Sequence, residues 1–162
     1  MKSYSFTSLT DDSLLREYVA AESKEHADTA TTLALLGEID ARRLYLPAGY
    51  PSMYAYCTQA RHMSEDCAYK RIRVARSARE YPAIYDAVAE GRRHLSALFL
   101  LAPHLTPPSA AGLLAAATHK TKAKIELLIA ERFPKPDLPA QVQPMGVLVA
   151  DQLPPAPRRV VP

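Results

Sequence analysis

The 162-residue chain contains no asparagine and no tryptophan, and only two cysteines. Without asparagine, a His-Asn-His metal centre of the kind some nucleases use cannot be assembled from these residues. Cys57 and Cys67 do not belong to a dense disulfide framework, so a reducing setting is expected. No apolar run approaches the ~18 residues of a membrane span, and the amino terminus lacks a basic segment followed by a continuous apolar one. The expectation is a cytoplasmic protein with no membrane partner. The GxxxxGK and GxGxxG phosphate loops are also missing, which removes the two commonest glycine-built nucleotide cradles. No segment alternates apolar and polar residues for long, so the expected fold class is all-α.

Hydrophobic residues make up 48% of the chain, enough for one core. The formal charge of +3 conceals a strong internal asymmetry. Residues 1–40 carry 3 basic against 8 acidic side chains, residues 41–79 carry 8 against 2, and residues 80–162 carry 9 against 7. A local basic field on a nearly neutral protein points to a binding face rather than a solubility device.

The pattern divides into a flexible leader (1–10), a helical domain (11–133) and a proline-rich linker or tail (134–162), where 8 of 29 residues are proline. From Asp11 to Leu46, Leu14, Leu15, Tyr18, Val19, Ala27, Ala30, Leu33, Leu36, Ile39 and Leu44 recur at helical spacing, as one long helix or as two broken near Glu22. Pro47, Gly49 and Pro51 supply the expected stop. Ser52 can cap a short helix to about Ala60, Arg61–Met63 forms a tight connection, and Ser64-Glu65-Asp66 starts a second helix. Short helix, turn and second helix make the outline of a helix-turn-helix unit. Brief segments follow at Ala83–Glu90, Leu95–Ala102 and Ser109–Thr118, then a final helix at Lys122–Arg132 capped by Thr121, with Ile125, Leu128 and Ile129 inward.

The second helix of that outline contains the densest basic run: five of the ten residues Lys70–Arg79 are Lys or Arg. Steps of about 100° gather Ala68, Ile72 and Ala75 on one face, widened by Cys67, Val74 and Ala78. Asp66, Tyr69, Lys70, Arg73, Arg76 and Ser77 fall opposite, whereas Arg71 and Arg79 lie in or beside the buried arc and are expected to snorkel or to pair with acids of the first helix. In a helix-turn-helix reader, Tyr69, Lys70 and Arg73 stand nearest the bases. Arg76, with Arg61 from the turn, is then a candidate for the backbone, and Ser77 on the same face is a further DNA-binding candidate. The competing reading is that these cations merely solvate an exposed helix. No aromatic platform for single strands is evident, which favours double-stranded DNA.

Other groupings carry less chemistry. Cys57, His62 and Cys67 lack a fourth zinc ligand, and Cys57 with His62 lacks an orienting third group. Glu38 and Asp40, followed by Arg42 and Arg43, read as helix surface and interhelical pairing rather than a carboxylate active site, and His94 and His104 only flank an apolar segment. Gly91-Arg92-Arg93-His94 can reach phosphate after a turn, or be a solvated loop, so Arg92 and Arg93 join the candidates. No catalytic set, metal site or cofactor is expected.

Asp40-Ala41-Arg42-Arg43, Gly49-Tyr50-Pro51-Ser52, Tyr56-Cys57, Ala68-Tyr69, Arg71-Ile72-Arg73 and Leu95-Ser96-Ala97 together resemble the helical amino-terminal domain of bacterial HNH-endonuclease-like proteins, those of myxobacteria above all. The likeness covers about residues 12–137. In that group a proline-rich connection leads to a carboxy-terminal HNH motif, so the resemblance implies a non-catalytic DNA-targeting or regulatory module and carries no catalytic residue onto this chain. A remoter likeness, from Met63 to His94, is to the helix-turn-helix of ParB-like partition proteins, which maps Ser64, Lys70, Arg71, Arg73 and Arg76 to a recognition-helix region. The expected function is non-catalytic binding of double-stranded DNA. The alternative is an interaction or immunity-like regulatory module that dimerises or binds a protein, its acidic first helix neutralising the basic middle within the fold or across a dimer.

Overall fold

The computed structural model describes residues 4–134, and the chain there is all-α. The proline-rich tail expected at 134–162 lies, from residue 135 on, outside the described residues. Residues 4–10 precede the first helix as exposed backbone with one turn, closed by the Leu9 N–H on the Phe6 carbonyl at 3.1 Å.

Helix α1 (Asp11–Ala41) is one unbroken element of 31 residues, about 46 Å long. Thr10 caps it by accepting from the Ser13 N–H, and Asp11 and Asp12 face the positive end of its dipole. It stops well before Pro47. Arg43 takes a left-handed φ of 53°, the Leu44 N–H returns to the Ile39 carbonyl and the Arg43 N–H to that of Asp40. This is a Schellman end in which arginine stands where glycine is usual, and it leaves Leu44 exposed outside the helix.

The apolar series expected along α1 divides in two. Ala30, Leu33 and Leu36 are buried, but Leu14, Leu15, Tyr18 and Val19 are 44–64% exposed. The cause is length. The helices that cover α1 are α3 (Glu65–Glu80), 16 residues or about 24 Å, and the still shorter α4 (Ala83–Ala89), so only its carboxy-terminal part has a partner. Gly37 allows the closest approach, since a Cβ there would lie 3.2 Å from the Ala75 carbonyl oxygen and from the Arg79 side chain.

Helix α2 (Met53–Ala55) is capped by Ser52, whose hydroxyl accepts from the Ala55 N–H at 3.0 Å, and it continues as a π-helical turn, Tyr56–Ala60. Tyr50 packs edge-on against Tyr56. Residues 61–64 then lead to α3, with His62 left-handed at φ 53° and Ser64 accepting from the Cys67 N–H.

Helix α3 is central: α1 covers one side, α5 (Leu95–Leu101) another, and α2 leans on it. Its buried residues are Ala68, Ile72, Val74, Ala75 and Ala78, with Cys67 half-buried at the edge. α5 extends as a 3-10 turn, Ala102–His104; α6 (Ala110–Ala116) and α7 (Lys122–Arg132) follow, and α7 packs on α5. Thr121 caps α7 and buries Ile125 beneath it, leaving Leu128 and Ile129 partly covered. No helix among the described residues is long and apolar enough to cross a membrane.

Candidate nucleic-acid interface

Most of the cations of α3 have carboxylate partners. Arg76 forms a two-pronged pair with Asp40 of α1, Nε to Oδ2 at 2.6 Å and Nη2 to Oδ1 at 3.2 Å, across 36 residues of sequence. Asp40 is only 12% exposed, so this fork is part of the α1–α3 seam, and its hydrogen bond raises the Arg76 pKa further. Arg79 pairs with Glu38 of α1 at 3.7 Å and donates to the Gly37 carbonyl, the partnership expected for it. Lys70 pairs with Asp66 one turn earlier at 2.6 Å. An exposed pair of that kind contributes about 0.3–0.5 kcal/mol, so Lys70 can be recruited by a stronger anion. Arg71 is half-buried in a hollow lined by Glu25 and Asp28 of α1, without a close ion pair to either.

Arg73 is different. No carboxylate lies within 4 Å of it among the described residues; its Nη1 donates to the Tyr69 hydroxyl at 3.4 Å, and the guanidinium sits 5.5 Å from the centre of the Phe99 ring. Tyr69 meets the same ring edge-on at 5.5 Å. Phe99 comes from α5, an element whose packing against α3 is invisible in the local sequence. The ring narrows the open face of α3 and pre-orients Arg73 at its rim.

A groove of about 580 Å³ runs along the α2 side of α3 and is lined by Tyr45, Tyr54, Tyr69, Arg73, Arg76 and Ser77, among others. Four candidate residues thus meet in one place. The three tyrosines come from three separate segments, so the aromatic surface that the sequence did not announce is assembled by the fold. A second, more apolar groove of about 570 Å³ lies on the α5–α7 side of Arg73, between Phe99, Ile129 and Phe133. Arg61 is exposed at the end of the π-helical turn and does not line either groove.

Arg92 and Arg93 stand apart, in the turn between α4 and α5. Arg92 pairs with Glu90, and Arg93 is 5% exposed, an internal side chain rather than part of a solvated loop. The cysteine groupings offer no catalyst. Cys57 is fully buried, and burial pushes its thiol pKa up, the opposite of what a nucleophilic thiolate needs. Among the described residues no three His, Cys, Asp or Glu side chains converge as metal ligands. No protein-family model, curated protein or solved structure matches this chain.

Proposed function

We propose that the chain is a non-catalytic module that binds double-stranded DNA, with α2 and α3 working as a helix-turn-helix and α3 as the recognition helix. The observation that carries this is Arg73: a cation with no carboxylate within 4 Å among the described residues, steadied by Tyr69 and Phe99, on the rim of an open groove. Tyr69, Lys70 and Arg73 read base edges, Ser77 and Arg61 hold backbone, and Arg76 braces α3 on Asp40. Lys70 exchanges its solvent-exposed Asp66 partner for a phosphate or a base at little cost. In a longer protein of the kind this sequence resembles, such a module delivers a nuclease to its substrate.

A salt series of duplex binding tests this reading. Binding is expected to weaken steeply as salt rises, and the Lys70→Ala/Arg73→Ala variant to bind about 10- to 100-fold more weakly and to discriminate less between duplex sequences. Binding without salt dependence, or equal binding by the variant, refutes the assignment.

A second reading is favoured by the exposed apolar stripe of α1: Leu14 and Tyr18 form a hollow with Phe6, and Leu15 and Val19 lie beside it, uncovered. Such a stripe suits a protein partner or a second copy of the chain. In-fold neutralisation between α1 and α3 involves only Glu38 and Asp40, which leaves the first half of α1 to act independently. If α1 is a dimer seam, light scattering shows a dimer at micromolar concentration that Leu15→Asp converts to monomer. A monomeric wild-type chain excludes the dimer.

A further inference from the structure

Among the described residues Arg93 is the one charged side chain in the buried set. A guanidinium cannot shed its proton at ordinary pH, so burying one without a counter-charge is costly. Its Nη2 donates to the Thr118 hydroxyl at 2.7 Å, while its Nε is buried without any hydrogen-bond partner. Burial and the neighbouring Arg92 both push its pKa down, and no carboxylate acts against them. The fold has thus placed a permanent cation next to another cation instead of next to an acid.

The surroundings continue the pattern. Arg93 lines a hollow of about 230 Å³ whose other polar walls are Arg92, His94, His119, Lys120 and Thr121. No lining residue is acidic; the nearest carboxylate on Arg92 is that of Glu90, outside the hollow. The two turns that form it are tied together by the His119 N–H on the Arg92 carbonyl at 3.2 Å, and His119 holds a left-handed φ of 52° in that turn. Thr121 is also the cap of α7, an 11-residue helix, so the positive end of a helix dipole opens onto the same space. The volume is below that of pockets for drug-sized ligands and suits a small oxyanion with little attached.

We propose that this hollow is a phosphate site, with the buried Arg93 as its fixed charge and Arg92, Lys120 and the start of α7 closing around the remaining oxygens. The shared chemistry is a terminal tetrahedral phosphate, whether free or as a monoester. The site has no lining residue in common with the α3 grooves, and it stands or falls apart from the DNA reading.

The test uses the full chain, followed by amide NMR shifts and thermal unfolding, titrated with sodium phosphate and with sodium chloride at matched ionic strength. Phosphate is expected to raise the melting temperature saturably and to shift amides at 91–94 and 118–122. Arg92→Ala and Lys120→Ala are each expected to weaken the response about tenfold or more. Arg93→Met, which removes the buried charge at similar volume, is expected to abolish it; should that variant not fold, the two rim variants decide. Thymidine monophosphate and a short duplex are run alongside. A response to the monophosphate supports the site, whereas a response to the duplex alone, with none to either small phosphate, overturns it. Phosphate indistinguishable from chloride, or an unchanged response in the Arg92→Ala/Lys120→Ala double variant, overturns it equally.

Discussion

Leu33→Ala is expected to destabilise the chain by about 2–5 kcal/mol, and Leu15→Ala, on the same helix with the same side chain, to change stability by no more than about 0.5 kcal/mol. Leu33 is 1% exposed and sits where α1 docks on α3 and α4, so its truncation both loses apolar burial and leaves a cavity among close-packed neighbours. Leu15 is 64% exposed and loses little on truncation. With domains of this size stable by some 5–15 kcal/mol, the first variant stands near the threshold of folding. Urea unfolding at dilute concentration, where no self-association contributes, reads both. Equal effects at the two positions would mean that the first half of α1 is packed against something after all.

Gly91→Ala is expected to cost about 2–3 kcal/mol, against about 1 kcal/mol for Gly49→Ala. Both glycines are left-handed, at φ +65° and +85°, where an added Cβ is strained by roughly 1–2 kcal/mol. They differ in surroundings. A Cβ at Gly91 would meet the His26 ring at 2.5 Å, whereas at Gly49 nothing lies within 4 Å. His26 must therefore move away from the α4–α5 turn, and with it the contact by which α1 steadies that turn. The His26→Ala/Gly91→Ala double variant is expected to recover the steric share and retain the conformational one, a coupling of about 1 kcal/mol in a thermodynamic cycle. Strict additivity would show that the His26 contact contributes nothing. Because Gly91 opens the hollow beside Arg93, the same variant also probes how rigid that hollow is.

Much of the helical plan is legible in the sequence because its signals are local. Ser64 followed by Glu65 and Asp66 marks the start of α3, the 100° spacing of Ala68, Ile72 and Ala75 marks its buried face, and Thr121 marks α7. What escaped the sequence depends on pairs of distant segments. Asp40 reads as an acid for the helix surface or for interhelical pairing, but its partner Arg76 reads as an outward-facing cation until the fold brings the two together. Phe99 reads as an apolar residue of a short helix until α5 places its ring beneath Arg73. Arg93 reads as a loop cation until Thr118 and the turns around it enclose it. The end of α1 was misplaced for a different reason: an arginine, not a glycine, makes the left-handed turn at position 43, and no composition rule marks it. Leu14, Leu15, Tyr18 and Val19 show the limit of periodicity, which finds an apolar face without saying whether a neighbour long enough to cover it exists.

That uncovered face gives α1 two thermodynamic characters along one continuous rod. Around Leu33 the backbone opens only when α3 and α4 let go, so its amides share the fate of the whole core. Toward Asp11 the helix is held mainly by its own hydrogen bonds and by the Thr10 cap, and end-fraying there is limited by helix–coil statistics instead of packing. A ligand that grips the early turns would quiet this fraying while leaving the core as it is, and the cost of that ordering would be subtracted from its affinity. Rigidity in this half of α1 is thus a quantity that a partner can set, and the rest of the chain supplies the fixed base against which it is measured.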